Sequence, residues 1–143
     1  MSAREFPFGD EHVRLYQETD GETGHEWREG STILLLTTTG RRTGNESTTP
    51  LIYDLDGDGN PVIVASKGGA PEHPGWFENL AKTPEAGVQI KAEKFRARAR
   101  VAEGEERERL WRLMNEMWPH YDEYAAKTDR EIPVVVLERR DMS

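Results

Sequence analysis

The residues Thr37-Thr38-Thr39-Gly40-Arg41-Arg42-Thr43-Gly44 place two guanidiniums and a cluster of hydroxyls around two glycines. Glycine lets backbone N–H groups turn toward one point, and arginine pairs with planar anions, so this stretch suits a phosphate or carboxylate. The same residues also suit a plain hairpin turn with two solvated arginines. Further on, Val64-Ala65-Ser66-Lys67-Gly68-Gly69-Ala70-Pro71 combines small side chains with one hydroxyl and one cation. Small side chains admit a flat ring system close to the backbone, and Lys67 can neutralise an anionic ring or tail. Read blandly, it is a glycine-rich loop.

Two aromatic groups complete the candidates. His73-Pro74-Gly75-Trp76-Phe77-Glu78-Asn79-Leu80 sets two aromatics and an amide at a helix start. Aromatics at helical spacing usually enter a core, but one of these is free to line a pocket. Tyr121 and Tyr124 lie three residues apart among polar neighbours after Pro119. A phenol there can donate a hydrogen bond or a proton to a developing oxyanion, or simply anchor a surface loop.

Other chemistries lack their residues. Asp54 to Asn60 imitates the opening of a calcium loop, but position twelve is Ala65 where a bidentate glutamate belongs, so it reads as a solvated hairpin tip. His12, His25, His73 and His120 have no helical metal-pair spacing, and no metal site is expected. Nucleophile-elbow, phosphate-loop and dinucleotide fingerprints are missing. With no cysteine there is no thiolate nucleophile and no disulfide framework.

The elements that would position these groups follow from periodicity. A short helix fits Asp10 to Thr19. Strands fit Ser31 to Thr39, Ser47 to Leu55 and Pro61 to Ser66, with a hairpin turn at Asp56-Gly57-Asp58-Gly59-Asn60 making the second and third antiparallel. Pro50 cannot donate to a ladder, which argues for an edge, a bulge or a backbone that faces a ligand. A helix starts at His73-Pro74 and closes at Thr83-Pro84. Val88, Ile90 and Ala92, then Phe95, Ala97, Ala99 and Val101, alternate as a hairpin whose wet face carries Arg96, Arg98 and Arg100. Glu105 to Trp118 is a longer helix stopped by Pro119, and Ile132 to Glu138 is the last strand. The sum is about six mostly antiparallel strands with two or three helices, a small mixed α+β, mainly β, barrel.

The 143 residues fit one domain with a sizeable core. Basic and acidic residues number 19 and 27, giving a net charge of −8 that repels phosphate backbones and disfavours nucleic acid. The longest apolar run, Ile33 to Leu36, is far below the ~20 residues of a bilayer span. A cytoplasmic protein is expected.

Four ordered blocks resemble the deazaflavin-dependent nitroreductase family, split β-barrel (FMN-binding-like) reductases of actinobacteria that use coenzyme F420. They are Leu35–Gly44, Thr48–Tyr53, Val64–Trp76 and Arg130–Leu137. The resemblance covers roughly residues 30 to 140. It implies a 31–140 cofactor-binding barrel with a 1–30 arm over the acceptor pocket, and hydride transfer from F420H2 to a quinone, enone or nitroaromatic. It also implies roles. Arg41, Arg42, Thr43 and Gly44 would hold the phosphate and acidic tail, with Lys67 nearby. Thr48, Thr49, Pro50 and Tyr53 would border the ring and its ribityl chain. Val64, Ala65 and Ser66 would lie against the deazaflavin, with Gly75, Trp76, Phe77 and Asn79 closing one side. Tyr121 and Tyr124 would flank the acceptor, with Tyr121 or Ser66 orienting or protonating it. A quinone acceptor would bring the protein transiently to a membrane surface. FMN, with one phosphate and no polyglutamate, is the rival cofactor, and a non-catalytic F420 or flavin carrier or sensor is the rival function.

Overall fold

A computed structural model describes residues 7–140. In chain order these form α1 (Gly9–Thr19), β1 (Ile33–Thr39), β2 (Glu46–Ile52), β3 (Asp54–Leu55), β4 (Pro61–Val64), α2 (Gly75–Lys82), β5 (Glu85–Ile90), β6 (Glu93–Val101), α3 (Gly104–Met117), α4 (His120–Lys127) and β7 (Val134–Arg139). The strands form one antiparallel sheet in the order β2-β1-β5-β6-β7-β4-β3. Consecutive β2 and β3 lie at opposite edges with only Tyr53 between them. One residue advances the chain by about 3.8 Å, so the two edges must meet there and the sheet closes into a barrel.

Closure is incomplete, and that makes the split. Asp54 pairs with Val62 and Leu55 with Pro61. Continued backward, this register would put Ile52 opposite Val64 and Pro50 opposite Ser66. Instead β2 pairs along its other side with β1, where Pro50 faces Leu35. A wedge therefore opens between Pro50–Ile52 and β4. Pro50 is on an edge strand, as its missing donor requires.

Two apolar layers sandwich the sheet. Inside the barrel, Leu34, Leu36, Ile63, Ala65, Val88, Ala97, Val135 and Leu137 pack under Trp76 and Leu80 of α2. Outside, Val62, Val64, Val134 and Val136 meet Leu110, Met114, Trp118 and Tyr121 of α3 and α4. Burial on both faces explains the unbroken apolar run from Ile132 to Leu137. Each such side chain contributes about 1.5–3 kcal/mol of transfer free energy. Arg100 locks α3 onto the sheet through two bonds to Glu106 at 2.6 and 2.8 Å and one to Glu138 at 2.9 Å.

Helix α1 crosses the outer face of β1. Its fully buried Tyr16 donates to the Ile33 carbonyl at 2.9 Å and accepts from the Lys91 N–H at 2.7 Å. The hairpin tip is an Asx turn, in which Asp56 Oδ1 accepts the N–H groups of Asp58 and Asn60 at 2.8 and 2.9 Å.

Three expectations need correction. The single strand Ser47 to Leu55 is two, broken at Tyr53, because its halves serve opposite edges of the sheet. That gives seven strands among the described residues where about six were expected. The described residues also form four α-helices where two or three were expected, since Tyr121 and Tyr124 belong to α4 rather than to a loop. Pro119 ends α3, but its φ of −59° equally starts the next helix.

Candidate active site

The wedge beside Tyr53 holds a cavity of about 420 Å³. Pro50, Leu51 and Ile52 form one wall, and Val64, Ser66, Lys67 and Gly68 face them. Pro74 and Trp76 close one end. Trp118, Tyr121 and Tyr124 of α3's end and α4, with Phe8, Gly9, His12 and Trp27 of the N-terminal region, complete it. The walls are mainly apolar and aromatic and include no carboxylate among the described residues, a setting for a flat, uncharged or anionic ring.

Polar groups enter the cavity at few points. Tyr121 is 4% exposed, and burial, with Tyr124 adding to it, pushes its phenol well above the ordinary value. No described residue hydrogen-bonds its hydroxyl, and that atom is not sealed off, so it opens to the cavity. Tyr124 stands edge-on to Tyr121 at 6.1 Å, and its oxygen accepts a long bond from Trp118 Nε1 at 3.3 Å. Ser66 sits at the head of a short turn, Lys67–Gly69, in which Lys67, Gly68 and Gly69 all have positive φ. Gly69 is required there, since a Cβ would come within 2.7 Å of the Tyr124 carbonyl.

One residue organises that turn. Arg130 donates to the carbonyls of Ala65 (3.2 Å), Ser66 (2.7 Å) and Ala70 (2.9 Å), and to His73 Nδ1 at 3.0 Å. Its fork thus gathers the whole segment from the end of β4 to the start of α2.

The turn between β1 and β2 leans on α2. Asn79 Oδ1 accepts from the Arg41 backbone N–H (3.1 Å) and guanidinium (2.9 Å), while Asn79 Nδ2 donates to Thr38 Oγ1 (3.0 Å). Arg41 also pairs with Glu78 at 3.0 Å and reaches the Gly75 carbonyl at 3.3 Å, next to cavity-lining Trp76. Arg42, Thr43 and Gly44 are exposed at the tip, with Gly44 at a φ of +76°. Lys67 pairs with Glu72 at 2.9 Å. Both ion pairs are exposed, so each is weak and open to exchange for another anion.

A strap, residues 20–32, joins α1 to β1 and brings Trp27 against Trp118, with ring centroids 5.7 Å apart. His120 clasps it, with Nε2 2.9 Å from Glu29 of the strap and Nδ1 2.6 Å from Glu123. The hydrogen bonds to Glu29 and then Glu123 raise the imidazole's pKa. A folded-state pKa above the unfolded one gives stabilisation present below about 6.5 and lost as pH rises through the folded value. Amide exchange of residues 25–31, corrected for intrinsic rate, should therefore be faster at about pH 9 than at about pH 6, and Glu29→Gln should shrink the difference.

The sequence model of the F420H(2)-dependent quinone reductase family matches residues 9–139. The chain belongs to this family. An F420H(2)-dependent quinone reductase of Mycobacterium tuberculosis is 40% identical over 132 residues, spanning 90% of this chain and 88% of the relative. Among solved structures, an F420-H2 dependent reductase, FDR-A, aligns with a TM-score of 0.68 at 44% identity over 74% of this chain and 93% of its own. Another, described as a domain-swapped dimer, aligns at 0.71 and 39% identity over 90% and 95%. The split barrel expected from the four blocks is the fold of this F420H(2)-dependent quinone reductase family member.

Of the residues singled out in the sequence, Pro50, Val64, Ser66, Lys67, Trp76, Tyr121 and Tyr124 meet at the cavity. Arg41, Gly75 and Asn79 form the adjoining latch, with Arg42, Thr43 and Gly44 on the same turn. Five residues stand apart. Phe77 packs against the barrel core, and Ala65 is within it. Thr48 faces the opposite end of β2's outer side, its hydroxyl 2.8 Å from that of Thr37. Tyr53 is buried at the barrel seam, hydrogen-bonded to His25 Nε2 at 2.8 Å, with burial pushing its phenol up to about 12. Thr49 is partly buried on β2 opposite Leu36 and does not line the cavity. Sequence reasoning missed His12, Trp27, Trp118 and Arg130. The spacing of Phe8, His12 and Tyr16, four apart on one helix face, was a usable signal for the first.

Proposed function

We infer that this chain is an F420H2-dependent reductase whose acceptor is a quinone. The observation that carries the reading is the cavity in the barrel split, where apolar walls surround the unpartnered Tyr121 hydroxyl. The family's cofactor fits the residues present. Ser66 to Gly68 and Pro50 offer low walls for a tricyclic ring, with Trp76 at its end. Lys67, Arg41 and Arg42 lie where an acidic chain leaving the cavity would run, two of them in weak pairs that an anionic tail can replace. When bound, the reduced deazaflavin supplies the hydride.

The chain's own residues bind, orient and exclude water. Tyr121, held protonated by burial, donates a hydrogen bond to an acceptor oxygen and stabilises the charge that develops on it. Trp27, Trp118 and Phe8 supply flat apolar surface for the acceptor's ring, so residues 7–30 serve as an arm over the acceptor pocket. Space on the Tyr121 side of the cavity supports turnover over passive carriage, because a carrier would fill it. Phe8, 73% exposed at the edge of the cavity, suits transient contact with a membrane that holds an apolar quinone.

Fluorescence titration with coenzyme F420 and with FMN tests this directly, because Trp27, Trp76 and Trp118 all line the cavity. Tight F420 binding followed by re-oxidation of the reduced complex by menadione is the expected result. Tight binding without re-oxidation by any quinone would support a carrier, and preference for FMN would overturn the assignment of the Arg41–Arg42 turn.

A further inference from the structure

We propose that His12 is the proton donor to the acceptor, delivering from Nδ1 into the cavity. The proposal rests on the reductase reading above. Hydride addition to a quinone leaves an oxyanion that must take one proton to complete the hydroquinone. Tyr121 is ill suited to give that proton up, since burial opposes its phenolate. Ser66 carries only a weakly acidic hydroxyl, and the Lys67 ammonium is engaged by Glu72 or by the anionic tail that replaces it. Among the described lining residues, imidazole is the one side-chain type that ordinarily changes charge near neutrality.

The geometry fixes which nitrogen is free to exchange a proton. His12 is 2% exposed, and Nε2 lies 2.8 Å from the Gly24 carbonyl oxygen. A carbonyl only accepts, so Nε2 keeps its proton in both the neutral and the cationic ring. The exchanging proton is therefore on Nδ1. That atom has no hydrogen-bond partner among the described residues and is not among their sealed orphan atoms, and the residue lines the cavity. Gly24, at a φ of +111°, permits this close approach, because a Cβ would come within 3.0 Å of the His12 ring. Stacking on Trp27 at 6.4 Å holds the ring's plane. Trp27 and Trp118 join it to the Tyr121–Tyr124 pair in an aromatic arc along the cavity.

In the step, the Nδ1–H bond of the imidazolium breaks and its electron pair stays on Nδ1, while an O–H bond forms on the reduced acceptor. The ring regains a proton from solvent. The charged and titratable groups around it are few. Tyr121, Tyr124 and Lys67 share the cavity, and Arg28 of the strap lies over the Trp27 ring at 5.1 Å. On α1 itself, Arg14 pairs with Glu11 and with Glu18 at the surface, and Asp10 is exposed in the first turn.

Two readouts test the proposal. In the protein without cofactor, histidine 15N spectra from about pH 5 to about pH 9 should show Nδ1 of His12 losing its proton while Nε2 stays protonated. With saturating F420H2 and menadione, wild-type kcat should fall about tenfold per pH unit on the alkaline side. His12→Gln keeps an N–H for Gly24 but carries no transferable proton, and should be about 100-fold slower with that limb gone. A ring protonated at Nδ1 throughout, or a His12→Gln enzyme with wild-type kcat and slope, overturns the assignment. The spectra decide alone if the variant does not fold. A wild-type protein that reduces no quinone overturns the reductase reading instead, whatever the spectra show.

Discussion

Replacing Arg130 with methionine should lower the unfolding free energy by about 3 kcal/mol and weaken F420 binding at least about tenfold. The magnitude follows from what the guanidinium does. It makes four bonds, three of them to main-chain carbonyls of a half-buried loop, and bonds to charged donors contribute about 1.5–3 kcal/mol each before non-additivity. Methionine retains the apolar stem and leaves the carbonyls of Ala65, Ser66 and Ala70 without that donor. In a domain of this size the loss corresponds to a fall of roughly 10 °C in Tm. Lysine should recover only part, because a tetrahedral ammonium cannot match the planar fork that reaches Ala65, Ser66 and Ala70 together. Binding should fall with stability, since Ser66, Lys67 and Gly68 are both the loop Arg130 gathers and a cavity wall. Thermal melts and F420 titrations of the two variants check this. An unchanged Tm would show that the Gly69 turn and the bond from the Ala65 N–H to the Pro133 carbonyl hold the loop unaided.

The contrast between Arg130 and Pro50 shows what a sequence makes legible. Pro50 announces its position because the property that matters, a missing N–H, belongs to the residue itself. Alternating Arg96, Arg98 and Arg100 likewise give away the outer face of β6, and the Asp56–Asn60 turn carries its own chemistry. Arg130 sits some 60 positions from every partner it holds. Nothing local distinguishes it from the other arginines. Tyr53 fails for a related reason. Its flanking residues have strand propensity throughout, and only closure of the sheet decides that the chain changes edge there. Pro119 was legible as the end of α3, but a proline that stops one helix is also pre-shaped to begin another, and the amphipathic signal of eight residues is too short to assert itself. The residue types of the arginine turn suit an anion or a solvated hairpin equally. In the fold Arg41 is already engaged by Glu78, Asn79 and Gly75, so binding there is an exchange of partners rather than the filling of a free site.

Tyr121→Phe should separate activity from stability more cleanly than any other change. The hydroxyl has no partner among the described residues, so removing it breaks no hydrogen bond among them and should leave Tm unchanged or slightly raised. Catalysis should suffer far more. A preorganised donor aimed at developing charge is worth roughly 100-fold in rate, and the loss should appear in kcat with little change in KM for menadione. Tyr124→Phe should cost less, because the Tyr124 oxygen already shares its capacity with Trp118 Nε1. The pH profile then assigns the roles. Because burial keeps Tyr121 protonated across the accessible range, its removal should lower the whole curve without moving the alkaline limb. If that limb vanished with Tyr121 instead, the phenol would be the proton source, and the buried imidazole at the other end of the aromatic arc would be left to position the acceptor.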